Sequence, residues 1–188
     1  MSYVPSLPNK ATLLDVFKAN PEISIKLIEF HEALLRGSSP FSEAERELIA
    51  AYVSGLNECR YCRAVHTATV EKLGAAKGLV DQLIDDIDTA PVEQRMKPVL
   101  RYAKKLTMQP TGVTQADADA VFAAGWDESA LYHAVFVIAL FNLMNRLVEG
   151  LGIELDPASA EGVGDRLANR GYTPLIHMIK SAARAGSG

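Results

Sequence analysis

The chain has 188 residues, of which 48% are hydrophobic and 22% charged, and its formal net charge is −4. This composition suits one globular domain, and the absence of a basic cluster argues against nucleic-acid binding. The longest apolar run, AVFVIALF at 134–141, is too short to cross a bilayer. Because MSYVPSLPNK has no basic stretch followed by an apolar one, we expect no signal peptide and a cytoplasmic protein away from membranes.

The N-terminal part of the chain is divided into helices by proline, glycine and capping residues. A short helix is expected at 11–19. Pro21 suits the first position of a longer helix, which stops at Gly37. Ser42 and Glu45 form a capping box that predicts a third helix with the sequence EAERELIAAYVSGL.

The middle of the chain continues the helical pattern. Asn57 is predicted to cap a fourth helix, 58–74, and a short helix is expected at 76–84. Residues 91–107 predict a further helix, in which Pro98 should cause a kink or a break.

The C-terminal part contains the most apolar segment. Thr114 should cap a short helix and Asp127 a long one, 128–151, which is apolar on nearly every face. That helix is expected at the centre of the fold or in a subunit interface. Residues 152–166 are predicted as a loop and 173–185 as the last helix. Since no segment alternates like a strand, we predict an all-α protein.

The stretch NECRYCRAVH contains the only two cysteines, Cys59 and Cys62, and a histidine, His66. Placed on one helix, the three side chains fall within a sector about 60° wide. Cysteines at i and i+3 near a helix start lie within disulfide range, so a reversible redox pair is sterically reasonable. The helix dipole favours a thiolate at Cys59, whereas the neighbouring histidine favours Cys62, so the nucleophile is left open.

A metal site at this stretch is less favoured. Structural zinc sites use four ligands, and a single CxxC with one distant histidine does not supply them. We therefore expect no bound metal and no cofactor. Two inert buried cysteines are the other alternative to redox chemistry, because cysteine is often buried for packing alone.

Glu47 lies on the preceding helix, where a helical hairpin would turn it towards His66. A cysteine, a histidine and a carboxylate in this order resemble a nucleophile, a base and an orienting group. A solvated glutamate at a helix start is the alternative. Of the other histidines, His31 and His177 are predicted on helix surfaces, and His133 in the core with a satisfied hydrogen bond.

The arrangement E-x11-C-x2-C-x3-H, from Glu47 through Cys59 and Cys62 to His66, resembles the core of the alkylhydroperoxidase D (AhpD)-like proteins. They are grouped with the carboxymuconolactone decarboxylases, and the resemblance points to the peroxidase-related branch. It implies an all-α AhpD-like helical bundle, oligomeric as a trimer or hexamer, in which a central helical hairpin carries the CxxC. One domain is expected over 1–188, with a core at about 41–152 and flanking helices at 11–37 and 174–185.

The same resemblance implies roles for the motif residues. Cys62 would attack a hydroperoxide, Cys59 would donate a proton and form the disulfide, and His66 and Glu47 would relay protons. The implied partners are a hydroperoxide and an external dithiol reductant of the lipoyl or thioredoxin-like kind. A decarboxylase is a second possibility, although that branch does not use the CxxC pair, and a non-enzymatic oligomeric redox sensor is a third.

Overall fold

A computed structural model describes residues 2–155 and 157–185 of the chain, and every regular element in those ranges is helical. The fold class predicted from the sequence is thereby confirmed. The elements in chain order are α1 (Leu13–Ala19), α2 (Pro21–Arg36), α3 (Glu43–Leu56), α4 (Arg60–Lys72), α5 (Leu79–Asp85), α6 (Met96–Met108), a 3₁₀ turn (Pro110–Gly112), α7 (Gln115–Ala123), α8 (Glu128–Gly150), α9 (Pro157–Arg170) and α10 (Thr173–Ala185).

The predicted caps account for several helix starts. The side chain of Ser42 accepts a hydrogen bond from the backbone of Glu45, whose carboxylate accepts one in return from the Ser42 backbone. Asp127 caps α8 through the backbone N–H of Ala130. These residues begin helices because their short side chains satisfy N–H groups that lack an intrahelical acceptor.

Two helix starts differ from the prediction. Pro98 causes no break, because α6 begins at Met96 and the proline falls in the first turn, where no intrahelical N–H is required. Asn57 does not begin a helix but ends α3, and α4 starts three residues later with Cys59 as its N-cap. Cys59 therefore precedes the helix that carries Cys62 and His66.

The predicted loop at 152–166 is also wrong, because most of it forms α9 and packs along α4. Gly164 has a packing role in this helix. A Cβ atom at Gly164 would lie 2.7 Å from the Cβ of Ala68 and 2.9 Å from the backbone nitrogen of Thr69. Only glycine allows the two helices to approach this closely.

Helices α3 and α4 form an antiparallel hairpin at the centre of the bundle, and α8 packs against α3. Residues 46–55 of α3 are all buried. Asn57 at the hairpin turn donates hydrogen bonds to Asn142 (3.1 Å) and Asn145 (2.9 Å) on α8, and Asn145 donates to Ser54 (3.0 Å). This buried polar network fixes the hairpin turn against the bundle, because each unpaired amide would otherwise cost free energy.

Helix α8 is long and apolar enough to cross a membrane by length and composition alone. Much of it is core of the bundle: Val137, Ile138 and Val148 are fully buried. The prediction that this helix lies at the centre of the fold is therefore confirmed for the side that carries these three residues. The opposite side exposes Tyr132, Phe136 and Leu143.

Candidate functional site

The turn between α3 and α4 fixes the backbone position of Cys59. The N–H of Cys59 donates to the carbonyl of Ser54 and the N–H of Glu58 to that of Gly55, both at 3.0 Å. This is the Schellman pattern of helix termination, in which Glu58 takes the left-handed conformation with φ of 55°. Cys59 therefore closes the C-terminal end of α3 and begins α4, so hydrogen bonds of both helices hold its backbone.

Both cysteines are free thiols and both are buried. The Cys59 thiol lies beside Cys62 across the first turn of α4, within reach of a hydrogen bond to it. That hydrogen bond raises the pKa of Cys59 well above its ordinary value, and burial and the nearby Glu149 carboxylate raise it further. The helix dipole alone favoured a thiolate at Cys59, but these local contacts favour the protonated form there.

Glu47 is fully buried in the middle of α3, so the alternative of a solvated glutamate is wrong for this position. One carboxylate oxygen, Oε2, accepts a hydrogen bond from Nδ1 of His66 at 2.6 Å. The other, Oε1, accepts from Nη2 of Arg36 at 2.7 Å and from the hydroxyl of Tyr172 at 3.1 Å. Both oxygens therefore have hydrogen-bond partners, as a buried charge requires.

This cluster keeps the carboxylate ionised. Burial alone would raise the pKa of Glu47, but the charges and hydrogen bonds of His66 and Arg36 outweigh it, so the pKa lies below its ordinary value. Burial disfavours the Arg36 cation, but Glu47 more than compensates and raises the pKa of Arg36. Burial and the adjacent carboxylate raise the pKa of Tyr172, which stays a hydrogen-bond donor at all physiological pH values.

The contact with Glu47 sets the orientation and the tautomer of His66. Because a carboxylate only accepts, Nδ1 of His66 carries the proton that it donates, and Nε2 of the neutral ring is left as an acceptor. The edge-to-face contact with Phe141, at 4.5 Å between ring centroids, fixes the ring plane. A histidine held in this way can take a proton at Nε2 and share the resulting charge with Glu47.

His66 and Cys62 line the same cavity, which has a volume of about 940 Å³. Its walls come from the segment before α1 and from α1, α2, α4, α8, α9 and α10. The cavity therefore depends on elements outside the region that resembled the AhpD-like core. The division of the chain into a core and flanking helices stays a prediction.

Three residues of the cluster were not identified from the sequence. Tyr172 binds Glu47 from 125 residues along the chain and Arg36 from 11 residues away on the preceding helix, and no local pattern links either residue to it. The carboxylate of Glu32 accepts from the backbone N–H of Tyr172 at 2.6 Å and so positions that tyrosine.

His31 was predicted on a helix surface and is buried instead. It donates from Nδ1 to the carbonyl of Leu27 at 2.7 Å, and it lines the cavity. Burial lowers the pKa of His31 to about 4, and the nearby His66 adds to this effect. Its spacing of three from Ile28 and from Leu34, both buried, is a helical-face signal that could have revealed it.

Of the remaining histidines, His177 is exposed as predicted. His133 has the predicted hydrogen bond, to the carbonyl of Leu34 at 2.8 Å, but it is half-buried and not in the core. Within residues 2–155 and 157–185, no group of three or more His, Cys, Asp or Glu side chains is arranged to hold a metal ion.

The chain resembles known proteins in both sequence and structure. The profile of the Carboxymuconolactone decarboxylase family matches residues 21–105. No curated protein matches the chain. An uncharacterised peroxidase-related protein from Silicibacter sp. is 27% identical, with a TM-score of 0.74 over 80% of this chain and 78% of that one.

Two further structures share the fold at lower identity. An uncharacterised peroxidase-related protein from Ralstonia eutropha, described as an alkylhydroperoxidase AhpD core, is 23% identical with a TM-score of 0.72 over 79% and 78% of the two chains. A protein of unknown function from Agrobacterium tumefaciens, for which the role of an antioxidant defence protein AhpD has been suggested, is 19% identical with a TM-score of 0.65 over 78% and 100%.

Proposed function

Because the chain belongs to the AhpD-like proteins of the carboxymuconolactone decarboxylase family, we propose that it is a thiol peroxidase that reduces hydroperoxides through Cys62 and Cys59. The observation that carries this proposal is the pair of neighbouring reduced thiols at the start of α4, with Cys62 and His66 lining one cavity and the buried carboxylate of Glu47 behind the imidazole. A packing role for the cysteines would not require a histidine and a carboxylate in this order.

In the proposed reaction, the Cys62 thiolate attacks the terminal oxygen of the hydroperoxide and the O–O bond breaks. The leaving alkoxide takes a proton from the His66 imidazolium, whose charge Glu47 stabilises, and departs as an alcohol. Cys62 is oxidised to a sulfenic acid, the first and reversible stage of cysteine oxidation. Cys59 then attacks the sulfur of Cys62, water leaves, and an intramolecular disulfide forms.

The raised pKa of Cys59 supports this division of roles. A thiol that stays protonated beside Cys62 donates a hydrogen bond to the attacking thiolate and is not itself the first nucleophile. An external dithiol of the lipoyl or thioredoxin-like kind would reduce the disulfide and complete the cycle. We place the protein in the cytoplasm, since a reducing compartment returns such a pair to the dithiol form.

Sulfenic-acid trapping in two single-cysteine variants tests these roles. The Cys59→Ser protein should react once with peroxide, give a trappable sulfenic acid at Cys62 and show no turnover. The Cys62→Ser protein should give no labelled product. Label at Cys59 of the Cys62→Ser protein, and none in the Cys59→Ser protein, would reverse the assignment.

Steady-state consumption of peroxide with a panel of dithiol donors separates the peroxidase from the other candidates. A redox sensor would consume one equivalent of peroxide and stop. The name of the matching family profile favours a lactone decarboxylase as the second candidate. Two results together would show that the protein is a decarboxylase and not a peroxidase. The Cys59→Ser/Cys62→Ser double variant would still catalyse decarboxylation, and the wild type would show no peroxide turnover.

A further inference from the structure

The cavity beside Cys62 is far larger than a small peroxide needs. Its volume of about 940 Å³ lies at the upper end of the range for ligand pockets, about 300–1,000 Å³. A water molecule occupies roughly 30 Å³ of liquid, and hydrogen peroxide has only one oxygen atom more. A site for hydrogen peroxide alone would leave most of this space unused.

The cavity walls combine buried apolar side chains with exposed charged ones. The buried walls are largely apolar and include Phe17, Ile28, Phe141 and Met144, with the half-buried Leu175 in addition. An apolar lining of this kind binds a hydrocarbon chain and gains about 0.8 kcal/mol for each buried methylene group.

The cavity is also lined by three exposed cations, Lys10, Arg166 and Arg170. Among the described lining residues, Glu154 provides the single carboxylate. This local excess of positive charge stands out on a chain whose net charge is −4. Arginine side chains suit the planar geometry of a carboxylate. The charged end of a ligand would therefore lie at these exposed cations, and its apolar chain would lie against the buried walls.

From this arrangement we infer that the cavity binds an amphiphilic carboxylate with a long apolar chain, and that the preferred substrate is the hydroperoxide of such a molecule, the chemistry of a fatty-acid hydroperoxide. The reduction of such a hydroperoxide rests on the proposed peroxidase function, whereas the binding of the amphiphilic carboxylate does not. The products are the hydroxy acid and, after attack by Cys59, water, and an external dithiol supplies the two electrons.

Chain length is the first variable to test with the wild-type protein. Across straight-chain alkyl hydroperoxides, kcat/KM should rise by about two- to fourfold for each added methylene group until the cavity is filled, since full burial corresponds to about fourfold. Leu175→Trp, which fills part of the cavity beside the apolar walls, should abolish this rise in kcat/KM for the longer hydroperoxides. A rise that persists unchanged in this variant would contradict binding of the alkyl chain against these walls.

The charged end is tested with variants on the surface, where folding is not at risk. Arg166→Gln/Arg170→Gln should raise KM for a long-chain fatty-acid hydroperoxide by about three- to tenfold, because each exposed ion pair contributes up to about 1 kcal/mol. KM for its methyl ester should not change. Arg184→Gln, an exposed arginine of α10 that does not line the cavity, is the matched control and should alter neither value.

Calorimetric binding of a long-chain unsaturated fatty acid without a peroxide group separates this inference from the proposed function. Binding that weakens in the Arg166→Gln/Arg170→Gln protein supports the inference even if no hydroperoxide is reduced, in which case the peroxidase proposal fails. Rapid reduction of short hydroperoxides with no chain-length dependence and no fatty-acid binding would overturn the inference and leave the peroxidase standing.

Discussion

Replacing Glu47 by glutamine changes one oxygen of the buried cluster to a nitrogen and removes its negative charge. Arg36 and His66 keep their positions but lose the carboxylate between them. Removing one partner of a buried ion pair typically costs about 3–5 kcal/mol, because the remaining charge stays buried and uncompensated. In a protein of this size each kcal/mol lowers Tm by about 2–4 °C, so we expect Glu47→Gln to lower Tm by about 6–20 °C.

The same substitution should slow peroxide attack through the tautomer of His66. The amide nitrogen of glutamine can donate to Nδ1 of His66, and the imidazole proton then moves to Nε2. A ring protonated at Nε2 no longer accepts a proton there, and loss of a general acid–base group typically costs about 10²- to 10⁴-fold in rate. Stopped-flow measurement of Cys62 oxidation, below the unfolding transition of the variant, reports this loss.

Glu43→Gln is the matched control on the same helix. Glu43 also faces Arg36, with its Oε2 at 3.5 Å from Nε, but its side chain is 41% exposed. Exposed ion pairs contribute at most about 1 kcal/mol, so stability and the rate of attack should stay close to those of the wild type. If Glu47→Gln behaves like Glu43→Gln in both measurements, the buried cluster has neither the energetic nor the chemical role assigned to it.

The pH dependence of stability gives an independent check on Glu47. Its pKa in the folded protein lies below the ordinary value of 4.5, so the folded state is favoured fully above that pH. This contribution is lost as the pH falls below 4.5, because the unfolded chain then binds a proton that the folded carboxylate does not. The difference in unfolding free energy between wild type and Glu47→Gln should therefore shrink in acid.

Further predictions concern the buried histidine, the thiols and assembly. Folding lowers the pKa of His31 from 6.5 to about 4, so the unfolded state binds a proton first as the pH falls. The free energy of unfolding should therefore decrease by about 3 kcal/mol between pH 6.5 and pH 4. Urea unfolding of His31→Phe should show a smaller decrease, and an unchanged decrease would contradict this origin. Mild oxidation should join Cys59 to Cys62, seen by mass spectrometry as a loss of two hydrogens within one peptide, and intermolecular crosslinks alone would exclude it. The exposed rings of Tyr132 and Phe136 on α8 favour a homo-oligomer, for which the resemblance to the AhpD-like proteins implies a trimer or hexamer. Light scattering should give a smaller mass for Phe136→Glu, whereas a wild-type monomer at micromolar concentration would refute the assembly.

Local sequence determined most of the helices and the motif. Capping residues such as Ser42 and Asp127 act on N–H groups within one turn, so their effect is visible in a short stretch of sequence. The hairpin that turns Glu47 towards His66 was also predictable, because two helices joined by a short connection pack against each other. The spacing from Glu47 to His66 therefore indicated a contact that the structure places at 2.6 Å.

Tertiary structure decided the rest, because the deciding contacts join distant parts of the chain. Tyr172 binds Glu47 across 125 residues, a distance over which no sequence periodicity operates. Gly164 favoured a loop by its intrinsic propensity, but close packing on α4 made it part of a helix. Asn57 could begin one helix or end another, and only the hydrogen bonds around Cys59 select the second outcome, which sets the thiol before α4 and beside Cys62.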